Sequence, residues 1–142
     1  MKDLTVNTLR AIVQWSTLLL CAIFRNQFAA GMIVRSIGGV MIVLGIILAI
    51  LSRVTLGQAF TSSLSPQGFG KEGIYSRLRH PMYAGGVLLY VGVGILFQSI
   101  IGLVLTGLLV LPLLVYSAIE EERQMLEKFG EEYIDYRKNT IL

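Results

Sequence analysis

The residues with the clearest capacity for chemistry lie in the segment RLRHPMYAGG, residues 77–86. Two arginines, the only histidine of the chain and a tyrosine occur there within seven positions, directly before a long apolar stretch. Arginine binds carboxylates and phosphates through a planar fork of N–H donors, and histidine can bind or exchange a proton near neutral pH. The segment is therefore a candidate site for an anionic or zwitterionic ligand.

His80 and Pro81 also predict where a helix begins. Proline is favoured at the first position of a helix, so Pro81 is expected to open one, with His80 at its cap. The unpaired amides of a first turn attract anions, and Arg77 and Arg79 would reinforce that attraction. Basic residues at a helix end also set membrane topology, which is the simpler interpretation for Arg77. Topology does not require a histidine, so His80 favours ligand binding.

The elements that carry these residues are apolar helices. The chain has 142 residues, of which 54% are hydrophobic and 15% charged, and its mean hydropathy is +0.70. This composition predicts an all-α integral membrane protein. The uncharged runs are residues 11–24, 36–52 and 81–119. The third run is too long for one span of about 20 residues.

The third run is expected to divide at Phe97-Gln98-Ser99 into a helical hairpin, with helices at residues 82–96 and 100–119. About four transmembrane helices result, followed by an amphipathic cytosolic tail helix. The whole chain, residues 1–142, is expected to form a single membrane domain. Residues 1–52 would supply two N-terminal helices, and residues 53–142 would supply a cofactor-binding loop, the hairpin and the tail.

Charge distribution predicts the orientation. Four spans place both termini and the loop at residues 53–80 on one side, which then holds ten of the twelve lysines and arginines. Only Arg25 and Arg35 lie on the other side. By the positive-inside rule, the termini are expected to be cytosolic. The basic residues adjoin apolar runs, so we expect them to face lipid headgroups and not nucleic acid.

The hairpin should bring the three glutamates at positions 120–122 close to His80 and Tyr83. Carboxylates at a helix C-terminus oppose the helix dipole, so they are either solvated or held there for a cationic or hydroxyl-bearing ligand. An anion-binding helix start opposite a carboxylate would suit a zwitterion, of which S-adenosylmethionine is one. No metal site is expected, because a lone histidine lacks further ligands at suitable spacing.

Glycine and proline positions predict packing and breaks. Pro112 should kink the fourth helix and free the carbonyl of Leu108. Gly130 should divide the tail helix in two. Close packing between helices is the expected role of the glycines at positions 38, 39, 45, 85, 86, 92, 94, 102 and 107.

Two motifs carry a family resemblance. GIYSRLRHPMYAGG and, some forty residues later, EEERQMLEKFGEEYIDYRK resemble the paired motifs of isoprenylcysteine carboxyl methyltransferases and their phospholipid-methyltransferase relatives. The resemblance covers about residues 53–138. It implies an integral membrane enzyme that binds S-adenosylmethionine in its C-terminal half, open to the cytosol. A lipophilic or prenylated substrate would enter between the helices.

The resemblance also implies residue roles. The implied cofactor-binding residues are Gln67, Gly68, Phe69, Gly70, Tyr75, His80, Pro81, Met82, Tyr83 and Glu121. Glu121 and Tyr83 are in addition the candidates for assisting catalysis, although no dedicated base is expected and His80 is expected to bind cofactor. Family members often carry an arginine for the substrate carboxylate where this chain has Ser117, and Arg79 or Arg123 could substitute. Because of that difference, a lipid amine is a second candidate class of substrate.

Two other functions are compatible with the sequence. Membrane sterol reductases resemble the same C-terminal region but bind a nicotinamide dinucleotide such as NADPH, which needs a larger bundle. A small membrane scaffold would explain the charges and the glycines, but not the grouping of His80, Tyr83 and Glu121. In either enzyme or scaffold, a homodimer formed through a glycine-rich face is predicted.

Overall fold

The computed structural model describes the backbone of residues 2–62 and 73–141, and the side chains of residues 8–55 and 73–141. The described chain is helical apart from short connections, as predicted. Its elements are α1 (Lys2–Ile23), α2 (Met32–Ser62), a 3₁₀ turn (Gly73–Ser76), α3 (Pro81–Leu96), α4 (Ile100–Leu105), a π-helical segment (Thr106–Val110), α5 (Leu111–Phe129) and α6 (Glu131–Lys138).

The two N-terminal helices are longer than the uncharged runs that predicted them. α1 begins at Lys2 instead of residue 11, and α2 covers Met32–Ser62 instead of residues 36–52. An uncharged run measures the part of a helix that suits lipid, whereas helical hydrogen bonding continues through charged residues such as Arg10 and Arg53. The uncharged runs therefore locate both helices but not their ends.

The apolar helices fit a multi-pass membrane protein. Two of them are long and apolar enough to cross a bilayer, Met32–Thr55 and Ile100–Phe129, and two further apolar helices, Thr8–Ile23 and Pro81–Leu96, are shorter. The number of spans and their orientation remain predictions.

The predicted hairpin is confirmed, and its turn is specified by side chains. Ser99 caps α4, with its Oγ accepting from the Gly102 amide at 3.0 Å. Gln98 takes a positive φ of 55° and donates from Nε2 to the carbonyl of Ala30 at 3.0 Å. The Asn26 amide donates to the carbonyl of Phe97 at 2.9 Å. The C-terminal ends of α1 and α3 are thus joined, so these two helices run in parallel.

Glycines set the contact between α2 and α3. A Cβ on Gly45 would lie 2.6 Å from the carbonyl oxygen of Gly85, and one on Gly38 would lie 2.9 Å from that of Gly92. Backbone therefore packs on backbone at two levels along the pair, as predicted for these positions.

The glycine prediction holds at some other positions and fails at two. Gly94 packs against Leu103, and Gly102 packs against Cys21. Gly39 and Gly107 have no described atom within 4 Å of an added Cβ. The prediction of close packing was wrong at these two positions, because a side chain there would point away from the neighbouring helices of the same chain.

The π-helical segment precedes Pro112, where a kink was predicted. A proline cannot donate to the carbonyl four residues earlier, and a wider turn is one way for a helix to accommodate that loss. The helix thus runs from Ile100 to Phe129 with the π turn at Thr106–Val110. An extra residue in one turn rotates everything that follows by about 100°. The π turn therefore helps to decide which face of α5 meets α3.

The interior and the tail complete the fold. Tyr90, Val110 and Leu114 are buried together between the helices. Gly130, with a φ of 52°, separates α5 from α6, which confirms the predicted break. Beyond α6, Ile141 pairs with Leu78 in an isolated parallel β-bridge.

Candidate active site

The start of α3 directs the His80 side chain toward α5. Pro81 is buried and occupies the first turn, where its missing N–H costs no helical hydrogen bond. His80 is the N-cap residue, and its imidazole makes no capping bond. Instead Nε2 lies 3.3 Å from Glu122 Oε1, and Nδ1 lies 3.8 Å from Glu121 Oε2. The histidine thus joins the two halves of the hairpin.

Glu121 holds the other contact between these helices. The Tyr83 hydroxyl donates to Glu121 Oε1 at 2.5 Å, a distance typical of an O–H···O⁻ bond. The His80 and Tyr83 rings are 5.6 Å apart. Half of the Glu121 side chain remains exposed, against 23% for Glu122. Glu121 is consequently the carboxylate that a ligand can still reach.

Glu122 lies between basic groups. Arg79 Nη1 is 3.3 Å from its Oε1, and Arg137 Nε is 3.8 Å from its Oε2. The Arg79 contact is an ion pair without hydrogen-bond geometry, because Nη1 and Nε of Arg79 are buried with no hydrogen-bond partner among the described residues. Arg79 therefore retains donors that a ligand could use.

The chain after α6 supports the segment that carries Arg79 and His80. The Arg79 amide donates to the carbonyl of Ile141 at 3.2 Å, and the Ile141 amide donates to the carbonyl of Arg77 at 2.8 Å. The Tyr136 hydroxyl donates to the carbonyl of Tyr75 at 2.6 Å. Burial, helped by nearby Tyr133, raises the pKa of Tyr136 to about 12, so this hydroxyl keeps its proton at neutral pH.

Four of the twelve predicted site residues are joined by side-chain contacts. These four residues are Arg79, His80, Tyr83 and Glu121, and Glu122 lies among them. We call the five residues the hairpin cluster.

The other predicted residues have different positions. Met82 is 38% exposed beside the cluster. Tyr75 lies within hydrogen-bonding reach of Ser52 of α2, and burial raises its pKa. Ser117 is buried, and its hydroxyl donates to the carbonyl of Leu113 at 2.6 Å. The predicted loop residues Gln67, Gly68, Phe69 and Gly70 lie outside the described residues.

Two participants, Arg137 and Arg10, were not predicted, and Glu122 was predicted only as one of three glutamates near His80. Glu122, not Glu121, makes the closer contact with His80. Arg137 reaches the cluster from α6, and Arg10 of α1 lies within hydrogen-bonding reach of the Tyr83 hydroxyl. Glu120 turns away to Gln124, at 3.5 Å. The clustering of basic residues in the tail was a usable signal for Arg137, whereas nothing near Arg10 in the sequence marks it.

Metal chemistry has no support in the described part of the chain. No group of three histidine, cysteine, aspartate or glutamate side chains is placed there to hold an ion. The hairpin cluster instead combines carboxylates with cations and a hydroxyl, which suits a zwitterionic organic ligand.

The fold and this cluster define a helical membrane protein with a polar ligand site at one end of its bundle. Residues 33–132 match the profile of the family described as phospholipid methyltransferase, which covers well over half of the chain. The chain therefore belongs to this family of membrane methyltransferases, whose members use S-adenosylmethionine as methyl donor.

Individual relatives are more distant. Protein-S-isoprenylcysteine O-methyltransferases B and A of Arabidopsis thaliana are 27% and 25% identical over 112 residues, covering 75% of this chain and 57% of each relative. The Rattus norvegicus Protein-S-isoprenylcysteine O-methyltransferase is 26% identical over 138 residues, covering 94% of this chain and 49% of its own. The chain spans about half the length of these curated relatives. No solved structure is significantly similar to it.

Proposed function

We propose that the protein transfers the methyl group of S-adenosylmethionine to a lipophilic acceptor within the membrane. The observation that carries this proposal is the hairpin cluster itself. It brings an arginine, a histidine, a tyrosine and two carboxylates together where two apolar helices meet, in a chain of a methyltransferase family.

The available groups match the donor's chemistry. S-adenosylmethionine carries a carboxylate, an ammonium, ribose hydroxyls and a positively charged sulfonium. Arg79 has buried N–H groups without hydrogen-bond partners in the described structure, which suit the carboxylate. Glu121 keeps half of its side chain exposed and can accept from the ammonium or the hydroxyls. His80 and Tyr83 fix the position of that carboxylate. The cofactor supplies the methyl group as an electrophile.

The protein's contribution to the reaction is then mainly alignment. Displacement at a sulfonium methyl requires the acceptor atom in line with the breaking C–S bond, and holding reactants in that geometry lowers the entropic barrier. A carboxylate acceptor needs no base. An amine must lose a proton, which the Glu121 carboxylate could accept once its hydrogen bond from Tyr83 is rearranged, and Tyr83 would assist by positioning that carboxylate.

Two acceptor classes remain, and the buried Ser117 bears on the choice. A serine whose hydroxyl is already paired with the carbonyl of Leu113 cannot clamp a carboxylate. An isoprenylcysteine carboxylate, the group named in the relatives, would need another cation, whereas a lipid amine would not.

We propose that both termini and the hairpin cluster face the cytosol, and that homodimers could form through the exposed faces at Gly39 and Gly107.

Calorimetric titration of the detergent-purified protein with S-adenosylmethionine, S-adenosylhomocysteine and NADPH tests the proposal. We expect saturable binding of the two adenosyl ligands, at least tenfold weaker in His80→Ala, because that change removes contacts to both glutamates. Glu120→Gln is the matched control and should bind as the wild type does. Binding of NADPH alone would favour the reductase, and no binding by any ligand would favour a scaffold.

A further inference from the structure

The segment that carries Arg79 and His80 lies between the 3₁₀ turn and α3 and belongs to neither. Before it, the amide of Leu78 donates to the carbonyl of Ile74 at 3.0 Å. After it, the carbonyl of His80 accepts from the amide of Tyr83 at 3.1 Å. The Arg79 amide takes part in neither of these local patterns. Its orientation therefore depends on a contact from elsewhere in the chain.

Ile141 supplies that contact through its backbone. Its carbonyl accepts from the Arg79 amide at 3.2 Å, and its amide donates to the carbonyl of Arg77 at 2.8 Å. The two bonds flank Leu78 in the parallel bridge. The side chain of Ile141 is 71% exposed, so the backbone makes the attachment. The bridge consequently restrains the direction in which the Arg79 side chain leaves the chain.

The residues around Ile141 hold it in place. Thr140 is buried, and its Oγ1 donates to the carbonyl of Tyr136 at 2.8 Å. The hydroxyl of Tyr136 in turn donates to the carbonyl of Tyr75, in the 3₁₀ turn before the segment, at 2.6 Å. The end of the chain is thus fastened to α6, and α6 is fastened to that turn. Ile141 therefore offers its amide and carbonyl from a fixed position.

Arg79 is a residue for which such a restraint matters. Its side chain is only 16% exposed, and its Nη1 lies 3.3 Å from Glu122 Oε1. A guanidinium binds a carboxylate through a rigid, planar fork, so both partners must be aligned. A displaced Arg79 backbone would misalign that fork.

We propose that Ile141 is a positioning residue, whose backbone bridge aligns Arg79 with the carboxylate of the methyl donor. This inference rests on the proposed function and adds to it a residue that acts through Arg79. Loss of the bridge should weaken recognition of the amino-acid end of the donor. Recognition of its adenosine end should be retained.

Ile141→Pro tests the bridge, because proline lacks the N–H that donates to Arg77. The probes are S-adenosylhomocysteine, which has the amino-acid end, and 5′-methylthioadenosine, which lacks it, each titrated calorimetrically into the detergent-purified protein. One net hydrogen bond corresponds to about fivefold in an equilibrium constant. We expect about fivefold weaker binding of S-adenosylhomocysteine, and methylthioadenosine binding within about twofold of the wild type.

Two further variants sharpen this comparison. Ile141→Ala keeps the amide and changes only an exposed side chain, so this matched control should retain the wild-type selectivity. Thr140→Val removes the hydroxyl bond to Tyr136 but keeps the amide of Ile141, and it should cause a smaller loss with the same selectivity. Helix content, measured by circular dichroism, should match the wild type in each variant.

A double-mutant cycle with Arg79→Gln shows whether the bridge acts through Arg79. Arg79→Gln removes the guanidinium, so the bridge then has nothing left to align. Adding Ile141→Pro to this variant should weaken S-adenosylhomocysteine binding by less than about twofold further, since coupled residues are not additive. This readout uses S-adenosylhomocysteine alone.

Three results would overturn the inference: unchanged S-adenosylhomocysteine affinity in Ile141→Pro, equal weakening of both ligands, or additive losses in the cycle. Equal weakening would make the bridge a general support of the fold. If the wild type binds neither adenosyl ligand, the proposed function fails and the inference fails with it. That result differs from wild-type binding without a selective loss in Ile141→Pro, so the two failures are distinguishable.

Discussion

Adjacent glutamates have different environments in this site. Glu122 faces two arginines and the histidine and is mostly buried, so its charge is compensated within the protein. Glu121 accepts from one hydroxyl and stays half exposed. Their positions in the helix differ by about 100°, which is enough to assign a structural function to one and a ligand-binding function to the other.

This difference predicts the effect of removing the Glu121 charge. Glu121→Gln keeps the shape of the side chain but replaces a charged acceptor with a neutral amide. Hydrogen bonds to charged groups contribute roughly 1.5–3 kcal/mol, and partial exposure favours the lower end. We expect about tenfold weaker S-adenosylhomocysteine binding by calorimetry. Glu120→Gln is the control, and equal losses in both variants would contradict the assignment.

At the scale of elements, the glycine contacts between α2 and α3 predict a position-specific loss of stability. Gly45→Ala would place a methyl group 2.6 Å from the Gly85 carbonyl, and overpacking of this kind costs roughly 1–3 kcal/mol. Gly39→Ala lies on the same helix with open space around it. That control should be neutral or stabilising, by up to about 1 kcal/mol, since alanine favours helix.

The measurement is thermal unfolding in detergent, monitored by the circular dichroism signal of the helices. Gly45→Ala should unfold at a lower temperature than Gly39→Ala. Indistinguishable transitions would show that the two helices can separate without loss of stability, and that the close approach is not required.

The tail predicts a coupled, pH-dependent effect. Tyr136→Phe removes the hydroxyl that donates to the Tyr75 carbonyl, at a cost of about 1 kcal/mol, and should weaken adenosyl-ligand binding severalfold through the segment carrying Arg79. Tyr116→Phe, on an exposed face, is the control.

The pKa of Tyr136 gives the sign of the pH dependence. Its pKa is raised from 10.0 to about 12, so the hydroxyl contributes fully below pH 10, and that contribution is lost as pH rises toward 12. The stability difference between wild type and Tyr136→Phe should shrink over that interval in equilibrium unfolding. A difference that grows with pH would contradict this account.

For the whole molecule, the parallel arrangement of α1 and α3 predicts a two-sided topology. In a Cys21→Ala background, Asn139→Cys should react with a membrane-impermeant maleimide from the side that bears the hairpin cluster. Arg25→Cys should react only from the other side. Both residues are exposed. Labelling of both from one side of sealed vesicles would exclude the predicted orientation.

Much of this organisation could be predicted from sequence, because the relevant signals are local. Polar residues within an apolar run located the turn at Gln98 and Ser99, and Pro81 located the start of α3. The pairing of Glu122 with His80 could not be predicted, since it depends on the rotation of α5 after the π turn. Arg10 was missed because a parallel helix, and no motif, brings it to Tyr83.

The glycine contacts have a consequence for motion. Where backbone touches backbone, as between Gly45 and Gly85, no side chains are available to adopt other rotamers, so the separation of α2 and α3 is fixed. A lipid that enters the bundle must therefore displace other helices, and α1 packs much less extensively on α3 than α2 does. Hydrogen exchange should be slowest along α2 and α3 and fastest in the N-terminal half of α1. Uniform exchange rates would indicate that the protein opens elsewhere.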